Sequence, residues 1–118
     1  KEKNIHFTSN YYKGMPNIDK LDFYTIFGNA LENAIEHCQS DNIKNISLDV
    51  GKTIDERYYF KIKNSILVNQ KVELTQSSKN EVGHGYGVSS IMNLVEKHDG
   101  YVDFIKKDKS FSIVVILP

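Results

Sequence analysis

Two side-chain amides, Asn29 and Asn33, lie four residues apart in a segment whose apolar residues recur by threes and fours, with Glu32 and Glu36 beside them. On a helix that spacing puts both amides on one stripe. Asparagine is a poor interior helix residue because its side chain competes for backbone hydrogen bonds, at about half a kcal/mol each relative to alanine. Two in one stripe suggest a use, against the plain alternative of a solvated polar edge. An amide oxygen is a hard ligand suited to Mg²⁺, which commonly takes one or two protein oxygens and completes its shell with water and phosphate.

Far downstream, Gly83-His84-Gly85-Tyr86-Gly87 runs straight into another helical pattern. Alternate glycines let successive amides turn inward as an anion-binding nest, and the helix that follows adds free amides and a positive dipole end. The run makes a phosphate cradle or, alone, simply a bend. It is not a P-loop, since no Gly-Lys-Ser/Thr follows, and not the dinucleotide fingerprint, since Val88 stands where a third glycine is required. A third candidate is Asn64, leaving the apolar strand pattern Tyr59 to Lys63. At the rim of a pocket its amide can offer a purine both an acceptor and a donor; otherwise Asn64-Ser65 merely starts a turn.

The elements that must position these groups are legible from periodicity. Asn4 to Tyr12 alternates as a first strand, ended by Gly14 and Pro16. From Asp22, the residues Phe23, Ile26, Phe27, Ala30, Leu31, Ala34, Ile35 and Cys38 form one helical face, with Asp22 or Asp19 as its cap. Asn45 to Val50 and Tyr58 to Lys63 read as a hairpin turning through Gly51 and Asp55. Leu67 to Gly85 is polar and without a period, which suggests a mobile functional loop; a short helix or strand at Lys71 to Thr75 is the alternative. A second helix carries Val88, Ile91, Met92 and Val95 and closes at Gly100 in the C′ position. Tyr101 to Ile105 and Phe111 to Leu117 finish the chain as strands. Strands grouped in hairpins predict an α+β two-layer sandwich rather than a doubly wound sheet.

Composition bounds the function. A chain of 118 residues, 40% hydrophobic, is sized for one domain. Fifteen Lys+Arg offset fifteen Asp+Glu, so bulk attraction to nucleic acid or to anionic membrane is disfavoured. The longest aliphatic run, Ile113 to Leu117, is far short of the ~20 residues that span a bilayer. Cys38 is the single cysteine, so there is no disulfide framework. The chain opens at Lys1 without a methionine and is expected to be a fragment of a longer protein.

Taken in order, the Asn-rich helix, the strand ending in Asn64, the polar loop and Gly-x-Gly-x-Gly entering a helix resemble the GHKL family of ATP-binding domains found in bacterial sensor histidine kinases. The resemblance spans nearly the whole chain. Phe27 to Glu36 looks like the family's N box. His84-Gly85-Tyr86-Gly87-Val88 looks like its second glycine box, in the form familiar from AgrC-like quorum-sensing kinases.

The resemblance implies the Bergerat α/β sandwich, with a mixed, mostly antiparallel sheet faced by helices, and the cofactors ATP and Mg²⁺. Asn33 would hold the metal, with Asn29 beside it, and Asn64 would meet the adenine edge. His84, Gly85, Tyr86, Gly87 and Val88 would surround the phosphates, and Leu67 to Gly83 would be the lid.

Two departures bear on chemistry. Where relatives carry Asp-x-Gly-x-Gly, this chain has Asn64-Ser65-Ile66-Leu67-Val68, and Glu36 replaces a frequent lysine. An uncharged acceptor implies weaker nucleotide binding. The water-activating glutamate of the superfamily's hydrolases is Asn29 here, a poor proton acceptor, so transfer to a protein is implied over hydrolysis. None of His6, His37, His84 and His98 has the setting of a phosphoacceptor. His37 and His98 read as capping or surface residues at helix ends. The acceptor histidine is expected on dimerisation helices elsewhere in the full-length protein, a cytoplasmic part of a membrane-anchored sensor that acts indirectly on a response regulator. A degenerate nucleotide-binding module without kinase activity is the alternative.

Overall fold

The computed structural model describes residues 4–72 and 86–118, without the Tyr86 side chain. The elements run β1 (Ile5–Asn10), α1 (Lys20–His37), β2 (Lys44–Lys52), β3 (Tyr58–Ser65), α2 (Tyr86–Lys97), β4 (Tyr101–Lys106) and β5 (Ser110–Leu117). The strands form one five-stranded sheet in the order β1-β2-β3-β5-β4. Only β1 and β2 pair in parallel; β2–β3, β3–β5 and β4–β5 are antiparallel. A parallel pair needs a crossover, and α1 supplies it. This is the expected α+β sandwich with a mixed, mostly antiparallel sheet.

Alternation sorts the strands. Phe60 and Ile62 of β3 and Phe111, Ile113, Val115 and Leu117 of β5 are buried toward the helices. Phe23, Ile26, Ala30, Ala34 and Cys38 of α1 and Val88, Ile91 and Val95 of α2 close over them. Phe27 and Phe60 meet edge to face with centroids 5.3 Å apart, and Phe23 meets Tyr58 at 5.5 Å, which locks α1 onto β3. Two apolar residues assigned to buried helical faces point outward instead: Ile35 is 41% exposed and Met92 is 48% exposed. They sit at the margins of their stripes, where the half-buried Leu31 and Leu94 complete the packing.

Local corrections have physical causes. The cap of α1 is Asp19, whose carboxylate accepts from the Leu21 amide at 3.3 Å; Asp22 is engaged elsewhere. β1 stops at Asn10, before Tyr11 and Tyr12. Gly51 belongs to β2, paired with Tyr59, and the chain turns instead between Thr53 and Arg57, with Glu56 in the left-handed region at φ 70°.

At the end of α2, the left-handed residue is Asp99 (φ 57°), not Gly100. The Asp99 amide donates to Glu96 O and the Gly100 amide to Val95 O, the paired bonds of a Schellman cap. Gly100 is required for closeness: a Cβ there would stand 2.5 Å from the Ile116 carbonyl oxygen. Backbone cannot yield as a flexible side chain can. Gly100→Ala is therefore expected to lower stability by about 2 kcal/mol or more, read as a drop in melting temperature.

Candidate functional site

The C-terminal half of α1, the first turn of α2 and the last residues of β3 converge on one side of the sheet. Asn29 projects from α1 toward the start of α2, so that a Cβ added to Gly87 would lie 3.7 Å from Asn29 Oδ1. One turn along α1, Asn33 is 9% exposed. Asn64 shares the helix-facing side of β3 with Tyr58, Phe60 and Ile62 and is 1% exposed. The Asn64 Nδ2 donates to Ser65 O at 3.0 Å, which fixes the amide with its oxygen left over. Asn33 Oδ1 and Asn64 Oδ1 are buried and have no hydrogen-bond donor among the described residues. A buried acceptor left unpaired costs about 1–3 kcal/mol, and native structures hold few of them.

Hydrogen bonds tie these elements together. The Gln39 amide donates to Ser65 O at 2.9 Å and the Asn45 amide to Ser65 Oγ at 3.0 Å. Gln70 Nε2 donates to His37 O at 2.8 Å while its Oε1 accepts from the Leu67 amide at 2.9 Å. The chain leaving β3 is thus stitched to the end of α1. His37 lies with Nδ1 3.1 Å from Asn33 O, the helix-end role its position implied.

The opposite end of the helix pair has a clamp that sequence reasoning missed. Asp22 Oδ2 lies 2.8 Å from His98 Nε2 and 2.9 Å from Lys97 Nζ, joining the first turn of α1 to the end of α2. His98 is therefore a partner of α1 rather than a surface cap. The only signal in the chain was an acid opening one helix and a Lys-His pair closing the other, and antiparallel packing is needed to bring them together.

The bond to His98, then that to Lys97, holds the Asp22 carboxyl below its ordinary 3.8, and Asp22 in turn raises Lys97. A carboxylate lowered by folding stabilises above its unfolded pKa and loses that contribution as pH falls through the folded value. Between about pH 5 and pH 3 the wild type is expected to lose more melting temperature than Asp22→Asn. Equal losses would remove the clamp from the account.

Of the residues singled out from sequence, Asn29, Asn33, Asn64 and Gly87 come to one side of the sheet. Tyr86, Gly87 and Val88 open α2, where backbone amides have no partner within the helix. The Val88 side chain is 8% exposed and belongs to the core, which leaves its amide for any ligand. His84 and Gly85, and the expected lid from position 73 onward, lie outside the described residues. Lys71 and Val72, the described part of the alternative short element, are in no helix or strand.

Gly87 tests the convergence directly. The added methyl of Gly87→Ala meets Asn29 only at ordinary contact distance, so the variant is expected to fold with a melting temperature at or slightly above the wild type. Crowding at the start of α2 is expected to weaken the binding of any anion held there about tenfold.

The α+β sandwich, with two helices over one mixed five-stranded sheet, is a GHKL-class fold. The chain belongs to the GHKL domain family, whose model matches residues 18–118. Solved structures with the same fold include the mycobacterial sensor histidine kinase MprB, at 16% identity and TM-score 0.75, covering 98% of this chain and 82% of that one. The kinase domain of the Erythrobacter litoralis EL346 blue-light activated histidine kinase aligns at 11% identity and TM-score 0.72, over 99% of this chain and 56% of that one. Full-length ShkA, solved in complex with AMPPNP, aligns at 15% identity and TM-score 0.73, over 97% of this chain and 25% of its own length. No curated protein matches the chain. Among the described residues no helix is long and apolar enough to cross a membrane, and no three His, Cys, Asp or Glu side chains gather as metal ligands.

Proposed function

We propose that this chain is the ATP-binding catalytic domain of a sensor histidine kinase of the AgrC-like quorum-sensing group. Its reaction is transfer of the γ-phosphoryl of Mg-ATP to a histidine on dimerisation helices of the same full-length protein. That protein would be a membrane-anchored sensor with this domain in the cytoplasm, acting through a response regulator. The observation that carries the reading is the pair of buried oxygens, Asn33 Oδ1 and Asn64 Oδ1, without a donor among the described residues, on the side of the sheet where Asn29 meets Gly87.

Each oxygen fits one part of the nucleotide. Asn64 Oδ1 accepts from the exocyclic amine of adenine, and the Ser65 carbonyl holds the amide in the orientation that favours an amine over a keto group. Asn33 Oδ1, a hard neutral oxygen lacking a partner, suits Mg²⁺, which supplies neutralisation of phosphate charge when bound. Asn29 steadies the phosphates beside Gly87, and the amides opening α2, with those of Gly85 and His84, receive them. Catalysis by these residues is positioning and electrostatics. Asn29 cannot take a proton from water, so the γ-phosphoryl is kept for a protein acceptor.

A second reading, a nucleotide-binding or purely interacting module without kinase activity, is favoured by one observation. Ile66, at a position where relatives carry glycine, is 2% exposed and packed in the core.

Two measurements separate the readings. Mg-ATP at 100 times its dissociation constant should add about 2.7 kcal/mol to stability, and no shift in melting temperature at millimolar nucleotide would reject binding. Labelled phosphate appearing on the histidine of a helical acceptor supplied in trans supports the kinase. Its absence despite measured binding favours the module.

A further inference from the structure

On the side of the sheet away from α1 and α2 there is a second cavity, of about 490 Å³, within the range of small-ligand pockets. Its walls come from the start of β1 (His6), the loop between α1 and β2 (Ser40 to Ile43), Asn45 of β2, the end of β3 (Ser65, Ile66) and the turn between β4 and β5 (Lys109). Much of its polar lining is already spoken for. Ser40 Oγ accepts from the Asn42 amide at 3.0 Å, Asn45 Nδ2 donates to Ile43 O at 2.9 Å, and Ser65 Oγ is bonded to Asn45.

The ionisable groups are different. Asp41, Lys109 and His6 are exposed residues that line the cavity, and none is ion-paired with another described residue. Beside them Ile43 is 56% exposed, an apolar surface held open to the same space.

An acidic residue, a lysine, a histidine and an exposed isoleucine around one cavity are the complement of one ligand class. We propose that this cavity binds a free α-amino acid with an aliphatic side chain. Its carboxylate is taken by Lys109 and His6, its ammonium by Asp41, and its side chain by Ile43. A plain anion would leave Asp41 facing it, and a plain cation would face Lys109; a zwitterion satisfies both.

Occupancy reaches the nucleotide side through Ser65. Its hydroxyl and backbone line this cavity's wall, while its carbonyl accepts from Asn64 Nδ2 at 3.0 Å and from the Gln39 amide at 2.9 Å. The next residue, Ile66, donates its amide to Lys109 O at 3.1 Å, so the lysine's turn is bonded directly to the chain leaving Asn64. An amino acid drawing on Lys109 therefore changes how firmly Asn64 is aimed. This coupling rests on the nucleotide reading given above; the binding itself does not.

The test uses this chain and leucine as probe, followed by NMR and by calorimetry in the absence of nucleotide. Leucine is expected to perturb the His6, Asp41, Ser65 and Lys109 resonances saturably. Leucinamide, lacking the carboxylate, and N-acetyl-leucine, lacking the ammonium, are expected to bind about tenfold more weakly. Lys109→Glu and Asp41→Asn, both on exposed turns, are each expected to cost a similar factor while leaving the melting temperature of the free protein in place. Absence of saturable shifts, or equal binding of leucine and its two blocked forms, overturns the proposal. Nucleotide affinity is then measured with and without saturating leucine. An altered affinity supports the coupling through Ser65, and an unchanged one overturns it without touching the site. A protein that binds leucine but no nucleotide would refute the kinase reading alone.

Discussion

Asn33→Ala is expected to abolish magnesium-dependent nucleotide binding and to melt no lower than the wild type. The two halves of this result have separate origins. Asn33 sits inside α1 at 9% exposure, its oxygen buried without a donor. Alanine removes that unpaired acceptor and is the better helix former by about half a kcal/mol, so folding loses little or gains. On the proposed reading binding loses a metal ligand, and with it the ~100-fold affinity that Mg²⁺ is expected to add. With the metal chelated, wild type and variant should bind nucleotide alike. Calorimetry with and without Mg²⁺ checks both halves. Unchanged affinity in the variant would contradict the metal role of Asn33, and a collapse of the fold would make Asn33 a structural residue instead.

Asn64→Leu carries the second large effect, and its two readouts move in opposite directions. The amide is 1% exposed in a line of Tyr58, Phe60 and Ile62, and only its Nδ2 is satisfied, by Ser65 O. A leucine keeps the branched shape in a larger volume and loses one hydrogen bond, but no longer buries a donorless oxygen, and where the added methyls fill the space beside that oxygen the net gain is about 1 kcal/mol, or a melting temperature about 5 °C higher. On the proposed reading this removes the acceptor for the adenine amine, so ATP affinity is expected to fall at least about tenfold, with the preference over GTP largely erased. Stability gained where binding is lost is the signature of a functional polar group kept at the expense of the fold. A variant both less stable and fully competent to bind would show that Asn64 serves packing.

The two effects are independent in mechanism, which makes them useful together. In the proposed function Asn33 acts only through metal and phosphate, so Asn33→Ala should leave adenine selectivity in place. Asn64 acts on the base, so Asn64→Leu should keep whatever magnesium dependence remains. Similar losses of both properties in both variants would point to a general loosening of the α1–β3 contact.

Repeating patterns in the chain determined the elements and their order. The three-and-four spacing from Phe23 to Cys38 and the alternation along β2, β3 and β5 are local properties of a buried face, and each residue reports its own side. The same holds for Asn29, Asn33, Asn64 and Gly87 as candidates, because a polar amide in an apolar stripe and a glycine opening a helix are out of place locally. Boundaries were less legible. Asp19 rather than Asp22 caps α1, since Asp22 is claimed by His98 and Lys97 from a helix far along the chain. Asp99 rather than Gly100 takes the left-handed position, since Gly100 is held by the approach of the Ile116 carbonyl.

Only the tertiary structure decided which candidates meet. Packing of α1 across β3, with α2 beside it, brings Gly87 to Asn29 and leaves the Asn33 and Asn64 oxygens without donors. It also opened the second cavity, whose lining comes from four separated segments joined by no pattern in the sequence. The physical reason is range. Periodicity and capping depend on neighbours within a turn or two, whereas a binding site depends on which surfaces the hydrophobic core presses together, and every residue in that core contributes to the choice.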